Sequence, residues 1–291
     1  MSIIAIDNLD PNVAGVITFW RLSGTTHWGR LNDALNLLAP GINPPTEPSP
    51  DKALRRAVVE VQEPRLLMRS LNQGHAKGYA LVRENVVFDL QHKEKLEHRT
   101  DTTAHLRLDS EGRLIDVQPP GSEYEGRIRA GFERHLHEVA HGDVSAWLSR
   151  TVGKLGAVAL RDSGGVYFIP RTAVQEWQSV KAAMKHAGLA HDVFTIPALR
   201  SEDAVAAITE ALESETAQAL TELEKVLEED SPTAARLAGR AERCTKLLHK
   251  VEQYEKLLEA KQDSMRSRIT DLQADLIAAK LLAEAAEAEA A

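Results

Sequence analysis

The chain has 291 residues, 43% of them apolar but only 4% aromatic, and a formal net charge of −8. That length allows one or two compact domains with an extension, and the scarcity of rings suits much helix around a modest core. A single cysteine, Cys244, excludes an internal disulfide, no apolar run reaches the ~20 residues a bilayer span needs, and the first residues lack a signal-peptide pattern, which together imply a soluble, cytoplasmic protein.

Residues 14–23 are rich in β-branched and aromatic types and predict a strand. Thr26 is positioned to cap a helix from about His27 to Leu38, with Trp28, Leu31, Leu35 and Leu38 on one face. The proline-rich stretch Pro40 to Pro50 cannot continue it. Ser49 then caps a helix through Val61 with Pro50 at its first position. Residues 64–118 alternate apolar and polar types between turns, as in Ala104 to Leu108, the turn Asp109-Ser110-Glu111-Gly112, and Arg113 to Val117. This is the pattern of an antiparallel meander. A helix from about Glu123 to His141 carries Tyr124, Ile128, Phe132, Leu136 and Val139 as its stripe. A second, capped by Asp143, runs to Gly156. Strand, turn and strand follow over 157–170, then a helix over 172–187 and a strand over 192–196.

The last third holds the acidity: residues 201–291 contain 11 Lys/Arg against 20 Asp/Glu, a balance of −9. It reads as a helix from about Ser201 to Glu229 and a longer one from Pro232 nearly to the end. At ~1.5 Å per residue these span about 40 and 75 Å. Leu237, Cys244, Val251, Leu258, Met265 and Leu272 repeat every seven residues, as in a coiled coil. The companion position fails at Glu255 and Gln262. A folded-back pair of unequal length leaves an overhang with an apolar face. Leu258, Met265, Ile269, Leu272 and Leu276 are therefore the expected interface of a homo-oligomer.

Three motifs bear on chemistry. His137-Glu138-Val139-Ala140-His141 matches the His-Glu-x-x-His pattern, in which two histidines one helical turn apart bind zinc and the glutamate acts as base. A zinc-dependent hydrolase is therefore the alternative function, with His137 and His141 as metal ligands. Both histidines fall opposite the apolar stripe, and no third ligand sits at a recognisable spacing, which favours solvated side chains. Asp162-Ser163-Gly164-Gly165 has the residues of a protease nucleophile loop but is above all a tight turn. Residues 143–170, a capped helix followed by a hairpin, have the order of a winged-helix unit. Residues 145–187 carry Arg150, Lys154, Arg161, Arg171, Lys181 and Lys185 against Asp162 and Glu176, a net +4 suited to phosphate contacts. No phosphate-binding glycine motif occurs, and no cofactor is expected.

The stretch Leu160-Arg161-Asp162-Ser163-Gly164-Gly165-Val166-Tyr167-Phe168-Ile169-Pro170 resembles a segment of an uncharacterised family found on bacteriophages, plasmids and bacterial genomes. Thr18-Phe19-Trp20-Arg21-Leu22 and Ala53-Leu54-Arg55-Arg56-Ala57-Val58 fit it as well. The resemblance implies a mobile-element context and supplies no activity or site residues. The sequence thus predicts an α+β protein in three segments: a meander domain (1–120), a helical, winged-helix-like subdomain (121–200) and a helical hairpin or coiled-coil arm (201–291). The expected function is a non-enzymatic assembly or interaction protein that engages nucleic acid through residues 145–187. A structural component of a larger particle is a further alternative.

Overall fold

The computed structural model describes residues 12–289 apart from 64–65, 74–75, 84, 89–93, 98–101, 110, 119, 122–123, 162–164, 189–191, 230–231 and 255–260. The fold is α+β with antiparallel sheets, and strands and helices are numbered along the chain. It divides into two units. One comprises Ser23–Ser145 and His186–Leu189, and the other Met1–Leu22, Ala146–Lys185 and Ala190–Ala291. Among the described residues no helix is long and apolar enough to cross a membrane.

In the unit formed by residues 23–145, the expected meander is a four-stranded antiparallel sheet. Its order is β3 (Leu66–Gln73), β4 (Ala76–Arg83), β7 (Thr102–Leu108) and β8 (Leu114–Gln118). The hairpin of β5 (Asn85–Phe88) and β6 (Glu94–Glu97) lies between β4 and β7 in the chain. The β7–β8 turn is held by Asp109, whose Oδ1 accepts from Glu111 N and Arg113 N at 2.9 and 2.8 Å, while Gly112 supplies the required positive φ of 80°. Two helices close one face of this sheet. Helix α2 (Pro50–Glu60) starts where Ser49 accepts from Lys52 N, with proline at its first position. Helix α3 (Glu125–Leu136) buries Ile128 and Phe132 against Leu54 and Val58 of α2 and Leu81 and Leu106 of the sheet. Gly131 permits this close crossing, because a Cβ there meets Ala57 Cβ at 3.1 Å.

The same unit holds α1 (Trp28–Leu38), whose cap is the His27 side chain rather than the expected Thr26. Thr26 lies instead in β2 (Thr25–His27), which pairs antiparallel with β9 (Glu138–Ala140). The predicted helix over 123–141 therefore ends five residues early. Residues after Leu136 satisfy their backbone groups in a short ladder with β2, extended by Trp28 N donating to His137 O at 2.8 Å.

In the other unit the N-terminal strand β1 (Val13–Arg21) is central. The sheet order is β10 (Val158–Ala159), β11 (Val166–Pro170), β1 and β12 (Asp192–Leu199), with every neighbour antiparallel. The β10–β11 hairpin follows α4 (His141–Lys154), in the order expected of a helix and wing, and is built into this sheet. On one face α5 (Val174–His186) docks, and its Trp177 Nε1 donates to Thr18 Oγ1 at 3.2 Å. The other face carries Val158 and Phe168 into a core shared with α6 (Glu202–Leu227), α7 (Ala234–Gln253) and α8 (Lys261–Glu289). Burial on both faces explains why Val13 to Val16 read as an unbroken apolar run.

Among the described residues the expected single helix from Pro232 onward is represented by two helices. Helix α7 ends at Gln253 with Tyr254 as its cap, and α8 runs back antiparallel along it. Contacts between them join Glu252 to Arg266, Thr245 to Gln273 and Ala234 to Glu287, so numbers fall on one helix as they rise on the other. Tyr254 is wholly buried; its hydroxyl donates to Gly156 O at 2.8 Å and its ring tilts against Phe168 at 5.9 Å. This anchor makes the reversal favourable. We expect Tyr254→Phe, which leaves Gly156 O without its partner, to lower unfolding stability by about 1–3 kcal/mol in urea titrations. An unchanged midpoint would show that the anchor is dispensable.

Candidate functional site

The most site-like feature of the described residues lies in the 23–145 unit, where α2, α3 and β9 converge on a cavity of about 740 Å³. Three local facts build it. The flank of α2 that turns away from the sheet carries Lys52, Arg55, Arg56 and Glu60 at helical spacing, while Ala53, Leu54, Ala57 and Val58 fill the core. Helix α3 ends on Arg134 and His135. Strand β9 then brings Glu138 alongside both.

His135 is the centre of this arrangement, with only 2% of its surface exposed. Its Nε2 lies 2.9 Å from Glu60 Oε1 and its Nδ1 3.6 Å from Glu138 Oε2, yet neither nitrogen makes a hydrogen bond of acceptable geometry. Arg134 pairs with Glu60 and lies 3.8 Å from Glu138 Oε2, and Arg56 donates to the Glu138 carbonyl. Burial holds the His135 pKa below its ordinary 6.5. The Arg56 charge pushes it the same way, Glu60 opposes it, and Arg134 adds a smaller lowering. At neutral pH the ring is therefore uncharged between two carboxylates that two arginines neutralise.

The zinc motif dissolves in this geometry. His137 is the cap after α3, Glu138 and Ala140 lie on β9, and His141 opens α4, so the two histidines do not share a helix face. The His137 ring stacks on His27 at 5.9 Å and 8°, and both residues are exposed. Among the described residues no three His, Cys, Asp or Glu side chains converge as metal ligands. Glu138 does have a polar role, but its partners come from outside the motif.

The six basic candidates are dispersed. Arg150 and Lys154 sit one turn apart and exposed on α4, Arg161 is exposed after β10, Arg171 opens a 3₁₀ turn, and Lys185 is exposed on α5. Lys181 is set apart from them: it is half-buried, donates to Thr195 Oγ1 at 2.6 Å, and has its pKa lowered by burial. Residues 162–164, which include Ser163, lie outside the described residues, as does Leu258. Met265, Ile269, Leu272 and Leu276, expected at an interface between chains, are buried against α6 and α7 of their own chain.

The sequence pattern of a family of unknown function (DUF6744) matches residues 30–287. The chain belongs to the DUF6744 family. No curated protein and no solved structure matches it. The DUF6744 match covers both the His135 cluster and the three helices that end the chain.

Residue-pattern reasoning missed Arg56, Glu60, Arg134 and His135. The available signal was three histidines within 135–141 directly after an arginine; nothing in the spacing brings α2 beside them. Because folded His135 holds its proton less tightly than the unfolded residue, its support for the fold is complete above 6.5 and is lost as pH falls through 6.5 toward the lower folded value. Melting curves across that window should show stability dropping on acidification, with a flatter profile for His135→Gln. Parallel profiles for the two proteins would remove His135 as the titrating group.

Proposed function

We propose that this DUF6744 protein is a non-enzymatic interaction protein that associates with copies of itself through the outer face of α8. A cytoplasmic mobile-element setting, phage or plasmid, fits the resemblance of its strand and turn motifs. One observation carries the reading. With the inner face of α8 filled by its own chain, Ile277, Leu281 and Leu282 still stand 45%, 60% and 74% exposed. Ile277 and Leu281 are one turn apart and form an apolar pair on the outer face, and Leu282 stands about 100° further round the helix from Leu281.

A second copy fits as the occupant because the patch is self-complementary: packed antiparallel about a two-fold axis midway between Ile277 and Leu281, two α8 helices set Ile277 of each against Leu281 of the other. This replaces the overhang argument: the association surface is the outside of a completed bundle, not an unpaired half of a long helix.

A second reading, nucleic-acid contact, is favoured by one observation. Arg150, Lys154 and Arg161 are exposed and among the described residues pair with no carboxylate. Phosphates suit such side chains.

Light scattering over a concentration series tests the first reading. The parent chain should exceed monomer mass, and Ile277→Ser/Leu281→Ser/Leu282→Ser should be monomeric with unchanged melting. A parent that stays monomeric at high concentration would sink it. For the second reading, binding to short duplexes should fall with salt and weaken in Arg150→Ala/Lys154→Ala/Arg161→Ala, with the log–log salt slope shallower by about one per lost phosphate contact. Lys181→Ala should leave that slope alone. Titrations that stay flat at low salt would exclude it.

A further inference from the structure

We infer that the cavity between α2 and β9 is a binding site for a small zwitterion of the amino-acid class. This goes beyond the self-association of α8 and is independent of it.

The cavity has the size of a small-molecule site, about 740 Å³, where ~300–1,000 Å³ is usual. Its apolar wall comes from Ala53 and Val59 of α2 and Val139 of β9. Its innermost polar group is His135, almost wholly buried, with Nε2 2.9 Å from Glu60 Oε1 and Nδ1 3.6 Å from Glu138 Oε2 but neither in good hydrogen-bond geometry. A buried polar group left so is costly. A ligand that reaches the ring removes that cost, because a neutral imidazole offers one donor and one acceptor.

The charges around the cavity divide into two sets. Arg134, Arg56, Glu60 and Glu138 are committed to one another. Lys52 and Arg55 on α2, and Glu47 and Asp143 at the rim, are exposed and have no ionic partner among the described residues. An anion alone satisfies the two cations and is repelled by the two carboxylates; a cation alone meets the reverse. A ligand carrying both signs uses all four. Its carboxylate belongs with Lys52 and Arg55, its ammonium with Asp143 and Glu47, and an apolar side chain with Val59 and Val139.

The Hε1 resonance of His135, assigned by its loss in His135→Gln, reports occupancy in the full-length chain. A pool of the standard amino acids at millimolar concentration should shift it. The active component, found by subdividing the pool, should bind about tenfold more weakly in Arg55→Ala and in Asp143→Asn. Both residues are exposed, so both variants keep the fold, which unchanged melting confirms. The N-acetyl derivative of that amino acid, an anion without the ammonium, should bind at least about tenfold more weakly. Three results overturn the proposal: no shift with the pool, equal affinity in both variants, or equal binding of the N-acetyl derivative, which would make the cavity a plain anion site. Failure here leaves the light-scattering result for α8 untouched, so the two readings are separately decided.

Discussion

The reversal of the chain after Gln253 is the constraint on which the helical end of the protein depends. A helix continuing through that point would leave Met265, Ile269, Leu272 and Leu276 in water. Turning back places all four against α6 and α7 instead. Each such side chain gains about 1.5–3 kcal/mol on burial, and together they outweigh the helical hydrogen bonds lost at one break. Tyr254 fixes where the break falls. Its ring joins the core under Phe168 and its hydroxyl caps the Gly156 carbonyl, so the end of α7 is tied to the sheet. Lys250, one turn earlier, adds a second tie through Ala157 O and the Glu215 carboxylate of α6.

That constraint accounts for both the success and the failure of the seven-residue repeat. Leu237, Cys244 and Val251 on α7, and Met265 and Leu272 on α8, are all buried seam positions. The period was real, because each helix buries one stripe. What the period does not contain is direction: an antiparallel hairpin and one straight rod give the same spacing if the turn preserves phase. The companion positions Glu255 and Gln262 were the only mark of the turn, and no glycine or proline stands between Gly239 and the end of the chain. Side-chain burial, rather than a backbone breaker, ends α7, and burial is not local information.

Elsewhere the sequence was legible wherever local chemistry decides structure. Ser49 with Pro50, the Asp109 turn, the strand at β1 and the meander over 66–118 all follow from caps, turn residues and alternation. It was illegible where distant segments compete for one stretch. Residues 137–141 continue the apolar stripe of α3 through Val139, so periodicity extends the helix. Pairing with β2, more than a hundred positions earlier, turns the same residues into a strand and still buries Val139. The centre of the second sheet is equally hidden, because β1 finds its neighbours in β11 and β12, more than 140 positions further along the chain.

The competition at residues 137–141 also shaped the cavity. Had α3 continued, Glu138 would have followed His135 around the helix, and the His-Glu-x-x-His spacing would have aligned His137 with His141. As a strand, the segment instead sets the Glu138 carboxylate beside His135 and offers its carbonyl to Arg56 of α2. The two histidines of the motif thus lose the shared helix face on which the His-Glu-x-x-His zinc pattern depends. What remains is a neutral imidazole held among balanced charges, with uncommitted cations and carboxylates around the opening. Charges of both signs around one opening suit recognition of a ligand's charge pattern.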